Sequence, residues 1–403
     1  MPVYLVATLD TKGQELAFVR DQLYAAGVKT CVVDAGGLGT PQFAGDIARE
    51  TVFAAAGTTL AEIQQKQDRG FAVSAAATGV AKIIEEHHAA GRVQGVLALG
   101  GSAGTTIGTT AMRALPLGVP KVMVSTLAAG QTRPFVGGKD IFLLNSVVDI
   151  AGLNRISRAV LFNAAGAMIG MVQQPAISPP QTDKPLIAAT MFGVTTPCVE
   201  HARKLLEAAG YEVLVFHATG TGGEAMENLI ADGLIAGVLD ITTTELADEL
   251  VGGVLSAGPT RLTAAGKRGV PQVISVGALD MVNFGPRPTV PEKFRDRLFY
   301  QHNANITLMR TTPDENRQLG EEVGHKAASA IGPTTILFPL RGVSAIDVTG
   351  KPFDDPTART ALLEGLRDTH GDVELLELDM HINDAVFAET CVQKLLAAIH
   401  SMR

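Results

Sequence analysis

An internal repeat constrains the fold of this chain more than any other feature of its sequence. Residues 3–8 form a strand-like apolar run, and a turn at Lys12-Gly13 leads into a helix with apolar residues at helical spacing. A second strand-like run at residues 30–34 leads into a glycine loop. The same order recurs from residue 186, with strand-like runs at 186–190 and 212–216 and a glycine-rich segment at 219–223. Strands that alternate with helices in this way are typical of parallel sheets.

The repeat extends to residue types. Ala7-Thr8 aligns with Ala189-Thr190, and the end of the first helix aligns with the end of its counterpart through matching arginine, leucine, alanine and glycine residues. Any two doubly wound domains share some of these features, and that alternative leads to the same architecture. The sequence therefore predicts an α/β fold made of two tandem Rossmann-like, doubly wound parallel-sheet domains.

The segment between the repeats is rich in proline and has the composition of a linker. We place the domain boundary near residue 182. This predicts an N-terminal Rossmann-like domain at residues 1–182, which is the candidate nucleotide-binding domain, and a C-terminal Rossmann-like domain at residues 183–403.

Charge and composition exclude several classes of protein. The formal net charge is −8 and the chain has three cysteines without a C-x-x-C pair, so we expect no nucleic-acid partner and a reducing environment. No basic segment precedes an apolar stretch at the start, and no uncharged apolar stretch reaches about 18 residues. These patterns predict a cytoplasmic protein without a membrane partner.

The strongest local signal is a glycine loop between a strand-like run and a helix. It comprises Gly100, Gly101, Ser102, Gly104, Thr105 and Thr106. Glycines let backbone N–H groups turn toward a ligand, and a helix start adds partial positive charge, so the loop suits a phosphate. A tight strand-to-helix turn requires glycine in any case, and the residues alone leave both interpretations open. The P-loop lysine is absent, which disfavours a P-loop ATPase.

The same loop matches the G-x-S-x-G pattern of serine hydrolases, in which Ser102 would be the nucleophile. Asp140 and either His217 or His381 follow in the order acid then histidine. The tandem repeat argues against this class, because an α/β-hydrolase is built on one larger sheet. A serine hydrolase is therefore the less favoured alternative.

Other candidate ligand groups follow neighbouring predicted strands, and parallel strands end at one edge of their sheet. They are Asp10, Lys12 and Gly13 after the first strand, Gly36 and Gly37 after the second, and Ser125 after the fourth. Lys12 could neutralise phosphate charge, and Asp10 could hold a metal ion or a ribose hydroxyl group. An ordinary solvated turn is the alternative.

A second candidate site follows the second repeat. His217 precedes a loop with Gly220, Gly222 and Gly223, and Glu224 lies at the next helix start. His217 and Glu224 are candidate catalytic residues because a histidine and a carboxylate can exchange protons near neutral pH. A buried histidine and a helix-capping glutamate are the alternatives. Zinc-site spacing is absent, which argues against a zinc site. The identity of any other metal is unknown.

Four segments of the sequence together resemble a known family. They are the run Ala7 to Gly13, the Asp34-Ala35-Gly36 turn, the Gly100-Gly101-Ser102 loop and the segment from His217 to Glu227. It is the family of the N-terminal ATP-binding region of the plant tomato mosaic virus resistance protein, whose bacterial members are stand-alone proteins. The resemblance covers nearly the whole chain. It implies a two-domain α/β protein that binds ATP and forms a homodimer or higher homo-oligomer.

Two functional hypotheses follow. The first is an ATP- or nucleotide-binding enzyme that acts on a small acidic metabolite at a cleft between the two domains, with the use of Mg²⁺ left open. The second is a nucleotide-sensing binding or regulatory module without catalysis. The sequence does not identify a substrate, and whether the protein is an enzyme stays undecided.

Overall fold

The structure, a computed structural model, describes residues 1–174 and 184–402. It divides the chain into two compact units, Met1–Ser178 and Pro179–Arg403. The predicted boundary near residue 182 lies outside the described residues.

The N-terminal unit contains one parallel sheet. Its strands are β1 (Val3–Ala7), β2 (Thr30–Asp34), β3 (Gly95–Gly100), β4 (Lys121–Ser125) and β5 (Phe142–Asn145). The order in the sheet is β2-β1-β3-β4-β5, and every neighbouring pair is parallel. Because β1 lies between β2 and β3, the chain order reverses there, and this is the position at which open parallel sheets bind ligands.

Helices cover both faces of this sheet. They are α1 (Leu9–Ala25), α2 (Arg49–Ala55), α3 (Leu60–Lys66), α4 (Arg69–Ala89), α5 (Ser102–Arg113), α6 (Arg133–Val136) and α7 (Arg155–Gln173). One core cluster joins the sheet to α4 and α5, and another joins it to α1 and α7. Burial of apolar side chains on both faces explains why the strands read as continuous apolar runs.

The C-terminal unit repeats this arrangement and enlarges it. Its strands are β6 (Leu186–Met191), β7 (Glu212–His217), β8 (Gly237–Thr242), β9 (Gln272–Gly277), β10 (Met281–Phe284), β11 (Phe299–Asn303), β12 (Ile306–Arg310), β13 (Thr334–Pro339) and β14 (Glu374–Leu378). Six of them form a parallel sheet in the order β14-β13-β9-β8-β6-β7. The segment β7-β6-β8-β9 has the same order as β2-β1-β3-β4, so the predicted repeat of two doubly wound sheets is confirmed.

A small antiparallel sheet, β10-β12-β11, is inserted between β9 and β13. The helices of this unit are α8 (Thr196–Ala208), α9 (Thr221–Ala231), α10 (Thr244–Val251), α11 (Ala264–Arg268), α12 (Pro313–Ala328), α13 (Pro356–Thr369) and α14 (Ala385–Ser401). Short 3₁₀ turns lie at Gly193–Thr195, Arg287–Thr289 and Glu292–Phe294. The inserted sheet was not predicted from the sequence.

The start of α1 differs from the sequence prediction. We predicted a turn at Lys12-Gly13, but the helix begins at Leu9 and Lys12 is an irregular position within it, with a φ of −127°. The Asp34 carboxylate accepts a hydrogen bond from the Leu9 backbone N–H at 3.1 Å. A side chain from the next strand therefore satisfies a free N–H group and starts the helix immediately after β1.

Within the described residues, α7 is the one helix whose length and composition would allow it to cross a membrane. Its residues Leu161, Ala164, Ala165 and Met168 are buried in the core of the N-terminal unit. A core helix of an α/β domain meets the same criteria, so α7 is weak evidence for a membrane span.

Candidate functional site

A cavity of about 300 Å³ lies at the carboxyl ends of β1, β2 and β3. Asp10, Gly37 and Arg69 line it, together with Thr8 and Thr11 at the start of α1. Its apolar wall includes Leu38, Ala72, Val73 and Ile107. The cavity is at the point where the strand order reverses, the predicted position for a ligand in this fold.

The first turn of α5 opens on this cavity. No side chain caps the helix, and Ala103 in its first turn lines the cavity. The Thr105 N–H group bonds back to the Gly101 carbonyl oxygen at 2.8 Å, whereas the N–H groups before it precede the first turn of helical hydrogen bonding. Uncapped N–H groups and the helix dipole favour an anion at such a position.

Arg69 and Asp10 supply the charged groups of the cavity. Across residues 1–174 and 184–402, the exposed Arg69 guanidinium has neither a hydrogen bond nor an ion pair. Asp10 accepts a hydrogen bond from the Gly39 N–H at 2.9 Å through Oδ2, while its buried Oδ1 has no partner among the described residues. A cation and an unpaired carboxylate oxygen are suited to a phosphate and to a hydroxyl group or metal ion, respectively.

Two of the predicted glycines allow backbone segments to approach closely around this cavity. A Cβ atom on Gly36 would lie 2.8 Å from Asp10 Oδ1, and one on Gly100 would lie 2.8 Å from the Gly104 Cα atom. These contacts show that the loop after β2 and the turn before α5 leave no space for side chains. The close packing alone explains why glycine occupies both positions, independently of any ligand.

Other predicted ligand residues have partners inside the protein. Lys12 donates to the Ile150 carbonyl oxygen, and Gly13 packs against Gln42. Thr105 and Ser125 are buried and share a hydrogen bond of 2.6 Å, and Thr106 donates to the Ser102 carbonyl oxygen at 3.0 Å. These side chains fix the loops around the cavity, and none of them lines it.

The arrangement expected for a serine hydrolase is not assembled around Ser102. Ser102 follows the carboxyl end of β3, whereas Asp140 pairs with Lys121 at the start of β4, with an Nζ–Oδ1 distance of 2.7 Å. A β-strand advances about 3.3 Å per residue, so the five-residue strand β4 separates the two sites. Asp140 cannot serve Ser102 in this geometry.

No group of three or more His, Cys, Asp or Glu side chains in the described part of the chain could hold a metal ion. Asp10 Oδ1 is a buried side-chain oxygen at the cavity without a partner among the described residues. A divalent cation there would need further ligands from a bound molecule, such as the phosphates of a nucleotide.

In the C-terminal unit, His217 ends β7 and Glu224 lies in the first turn of α9. The His217 ring packs against Phe192, with ring centroids 5.4 Å apart. Among the described contacts, no hydrogen bond joins His217 to Glu224. The two predicted catalytic residues are close in sequence, but the structure shows no hydrogen bond between their side chains among the described residues.

The glycine loop before α9 is occupied by a carboxylate of the same unit. Glu245 Oε1 accepts hydrogen bonds from the Gly220 and Gly223 N–H groups at 2.7 and 3.0 Å. Gly222 packs against the backbone carbonyl group of His217. A phosphate at this loop would have to displace Glu245, whose pKa is raised by burial and lowered in part by Arg261.

Arg261 holds this cluster together and was missed by the sequence analysis. It is 1% exposed. Its guanidinium binds both oxygens of Asp240 at 2.6 and 2.7 Å and Glu245 Oε2 at 2.6 Å. Glu227 Oε1 lies 3.3 Å from Arg261 Nη1, and the same carboxylate accepts a hydrogen bond from the Ala264 N–H at the start of α11. The available signal was Asp240, a charged residue inside the apolar run of β8, because a buried carboxylate requires a partner.

Two family models match the chain. They describe the N-terminal domain of an uncharacterised protein family, UPF0261, at residues 1–176 and its C-terminal domain at residues 184–399. The chain belongs to the UPF0261 family. A UPF0261 protein from Clostridium tetani is 49% identical over 398 residues, which is 98% of each chain.

A plant protein confirms the resemblance given above. The ToMV resistance protein Tm-1(GCR237) of Solanum lycopersicum is 44% identical to this UPF0261 chain over 335 residues, which is 81% of this chain and 44% of the tomato protein. Among solved structures, a UDP-N-acetylglucosamine 2-epimerase from Rickettsia bellii is 10% identical, with 100% of this chain and 98% of the epimerase covered, and has a TM-score of 0.24.

Proposed function

We propose that the N-terminal unit binds ATP in the cavity at the carboxyl ends of β1, β2 and β3. The observation that carries this proposal is the uncapped start of α5, which opens on the cavity beside Arg69. In this arrangement the α5 N–H groups and Arg69 face the phosphates. Asp10 Oδ1 accepts a ribose hydroxyl group or binds a Mg²⁺ ion held by the phosphates.

The apolar wall of the cavity supports a nucleotide over a free phosphate ion. Ala72, Val73 and Ile107 provide a surface for a planar base, and small-molecule sites commonly combine such a surface with a few polar groups. The choice of ATP among nucleotides rests on the family resemblance of the sequence motifs. The loop at Gly220 is a weaker candidate for the phosphates, because its N–H groups already bind Glu245.

The proposal assigns no reaction. Catalysis by His217 and Glu224 on a small acidic metabolite, a regulatory role without catalysis, a homo-oligomeric state and a cytoplasmic location all stay predictions. Binding of the nucleotide is the step that the described geometry supports and that can be tested directly.

Substitution of Ala103 provides a sharp test. Ala103→Asp places a carboxylate in the first turn of α5, where the helix dipole stabilises a negative charge, so the helix should fold normally. The same carboxylate repels a phosphate at that position. We expect the affinity for ATP, measured by calorimetric titration with and without Mg²⁺, to fall by roughly tenfold or more, whereas the neutral Ala103→Asn variant loses much less.

A second pair of variants tests Arg69. Arg69→Gln should weaken ATP binding by roughly tenfold or more through loss of a charged hydrogen bond. The matched control is Arg158→Gln, which changes an exposed arginine on α7 of the same unit that does not line the cavity. Equal ATP affinity in the wild type, Ala103→Asp and Arg69→Gln would contradict the proposed site, and absence of binding by the wild type would contradict the proposed function.

A further inference from the structure

We propose a second binding site in the C-terminal unit, for a small and mostly apolar aromatic compound that carries one hydrogen-bond donor. The site is a cavity of about 390 Å³ between the carboxyl ends of β6 and β7 and the inserted sheet β10-β12-β11. It lies where the strand order reverses around β6, the position that corresponds to the cavity of the N-terminal unit. This inference does not depend on ATP binding.

The inner wall of this cavity is apolar. Val194, Phe284 and Leu308 are buried, and the half-buried Phe192 and Leu255 complete the wall. Among the described residues that line the cavity, none is a lysine or an arginine. A polyphosphate would therefore find no cation here, whereas an apolar ring would gain free energy by leaving water.

Two further lining residues, Thr219 and Asn283, are polar: the Thr219 hydroxyl donates to the His217 carbonyl oxygen at 3.2 Å, and Asn283 is 1% exposed. The Nδ2 group of Asn283 donates to Asp248 Oδ2 at 2.7 Å, and its backbone N–H donates to the same carboxylate. The backbone carbonyl oxygen accepts from the Val254 N–H at 2.8 Å. The Oδ1 atom has no partner among the described residues, although a buried acceptor without a hydrogen bond costs free energy.

An N–H or O–H group of a ligand would satisfy this oxygen atom. Two backbone N–H groups, those of Asn283 and Leu255, also donate to Asp248 Oδ1 at 3.1 Å, so this side chain serves as an acceptor on both oxygens. Burial raises the pKa of Asp248 to about 7; in its ionised form the carboxylate can only accept from Nδ2, which keeps Oδ1 of Asn283 as the free end. The cavity thus favours a ligand with one donor and no charged group at the inner wall.

The exposed edge of the cavity carries polar side chains beside the apolar Val254 and Ile306. His217 and His302 line it there, and Asn305 lies beside them in the turn between β11 and β12. A ligand with its ring against the inner wall would direct any polar substituent toward these side chains and the solvent. His217 is thereby assigned to ligand binding, through a ring that already packs against Phe192.

Indole is a suitable probe, because it combines an apolar ring with one N–H donor. The chain has no tryptophan, so indole fluorescence can be followed without interference from the protein. We expect a saturable blue shift of indole emission upon titration with the full-length protein. Indene, which has the same shape without the donor, should displace indole with an inhibition constant roughly fivefold above the dissociation constant of indole, because it leaves Asn283 Oδ1 unpaired.

Gly193 permits a test that fills the cavity. It lines the cavity, and a Cβ atom there would meet nothing within 4 Å. Gly193→Phe should abolish the blue shift, whereas Gly193→Ala should retain it, with circular dichroism confirming that both variants are folded. Ala103→Asp, in the other unit, should bind indole as the wild type does.

The outcomes separate the two proposals. Absence of a saturable shift in the wild type, or full binding by folded Gly193→Phe, would overturn the second site. An inhibition constant of indene equal to the dissociation constant of indole would overturn the role of Asn283. Loss of ATP binding in Ala103→Asp with unchanged indole binding would support both sites as independent.

Discussion

At the scale of single residues, Asp280 is a buried acid whose surroundings disfavour its ionised form. It follows β9 and is fully buried, with Oδ2 accepting from Ser344 Oγ at 2.8 Å and Oδ1 without a partner among the described residues. Burial raises the pKa of Asp280 to about 7, the nearby Asp347 carboxylate adds to this increase, and Arg310 opposes it. The folded protein therefore favours the protonated form.

This pKa sets the sign of a pH effect on stability. An aspartate that is protonated in the folded state and ionised in the unfolded chain lowers the free energy of unfolding as the pH rises from 3.8 to about 7. Asp280→Asn removes the ionisation. Relative to the wild type, the variant should gain about 1.4 kcal/mol per pH unit between about pH 5 and pH 6, and less per unit as the pH approaches 7, measured by urea unfolding.

Asp379 provides the control for this experiment. Its pKa is lowered by the exposed ion pair with Arg341, so Asp379→Asn should not alter the slope of stability above about pH 5. Parallel pH profiles for the wild type and Asp280→Asn would show that Asp280 is ionised in the folded protein at every pH tested.

Residue spacing predicted the position of the glycine loops but not the partners of their N–H groups. The loops at Gly100 and Gly220 have the same sequence character and both precede helices. In the structure, the first opens on a cavity, whereas Gly220 and Gly223 bind Glu245. That carboxylate comes from the next strand-to-helix connection, and no local pattern indicates that it turns back.

At the scale of helices, α12 and α13 approach so closely that their backbones are in contact. A Cβ atom on Gly320 would collide with the Leu362 carbonyl oxygen, and one on Gly365 would collide with the Arg317 carbonyl oxygen. Glycine at these positions allows the two helices to pack with no side chain between them. Any larger residue must push the helices apart.

Gly320→Ala should therefore lower the free energy of unfolding by about 1–3 kcal/mol, despite the higher helix propensity of alanine. Gly166, inside α7, is the matched control, since a Cβ atom there would meet nothing within 4 Å. Gly166→Ala should raise stability by up to about 1 kcal/mol. Urea unfolding measures both changes, and a stabilising effect of Gly320→Ala would contradict the close packing.

The elements that the sequence predicted are those with strong local signals. The apolar runs of β1 to β4 and of β6 to β9 identified parallel strands, because both of their faces are buried. The inserted sheet β10-β12-β11 escaped prediction, since β11 carries mostly polar and exposed residues and is defined by its pairing with β12. Pairing between distant segments is a tertiary property that a local pattern does not contain.

At the scale of the whole molecule, the two units share a strand order but have separate cores. Within residues 1–174 and 184–402, each cluster of buried apolar residues is drawn from one unit, with two clusters in the N-terminal unit and four in the C-terminal unit. Separate cores allow each unit to unfold as a cooperative domain of its own. We therefore expect two thermal transitions in scanning calorimetry.

Ligand and variant together assign these transitions. A ligand stabilises the domain that binds it, by about 2.7 kcal/mol at roughly 100 times its dissociation constant, which corresponds to an increase of about 5 to 10 °C for domains of this size. Mg²⁺-ATP should raise only the transition of the N-terminal unit, and Gly320→Ala should lower only the other. A single transition that moves as a whole with both treatments would show that the two cores unfold together. The two repeats would then form one cooperative unfolding unit in spite of their separate cores.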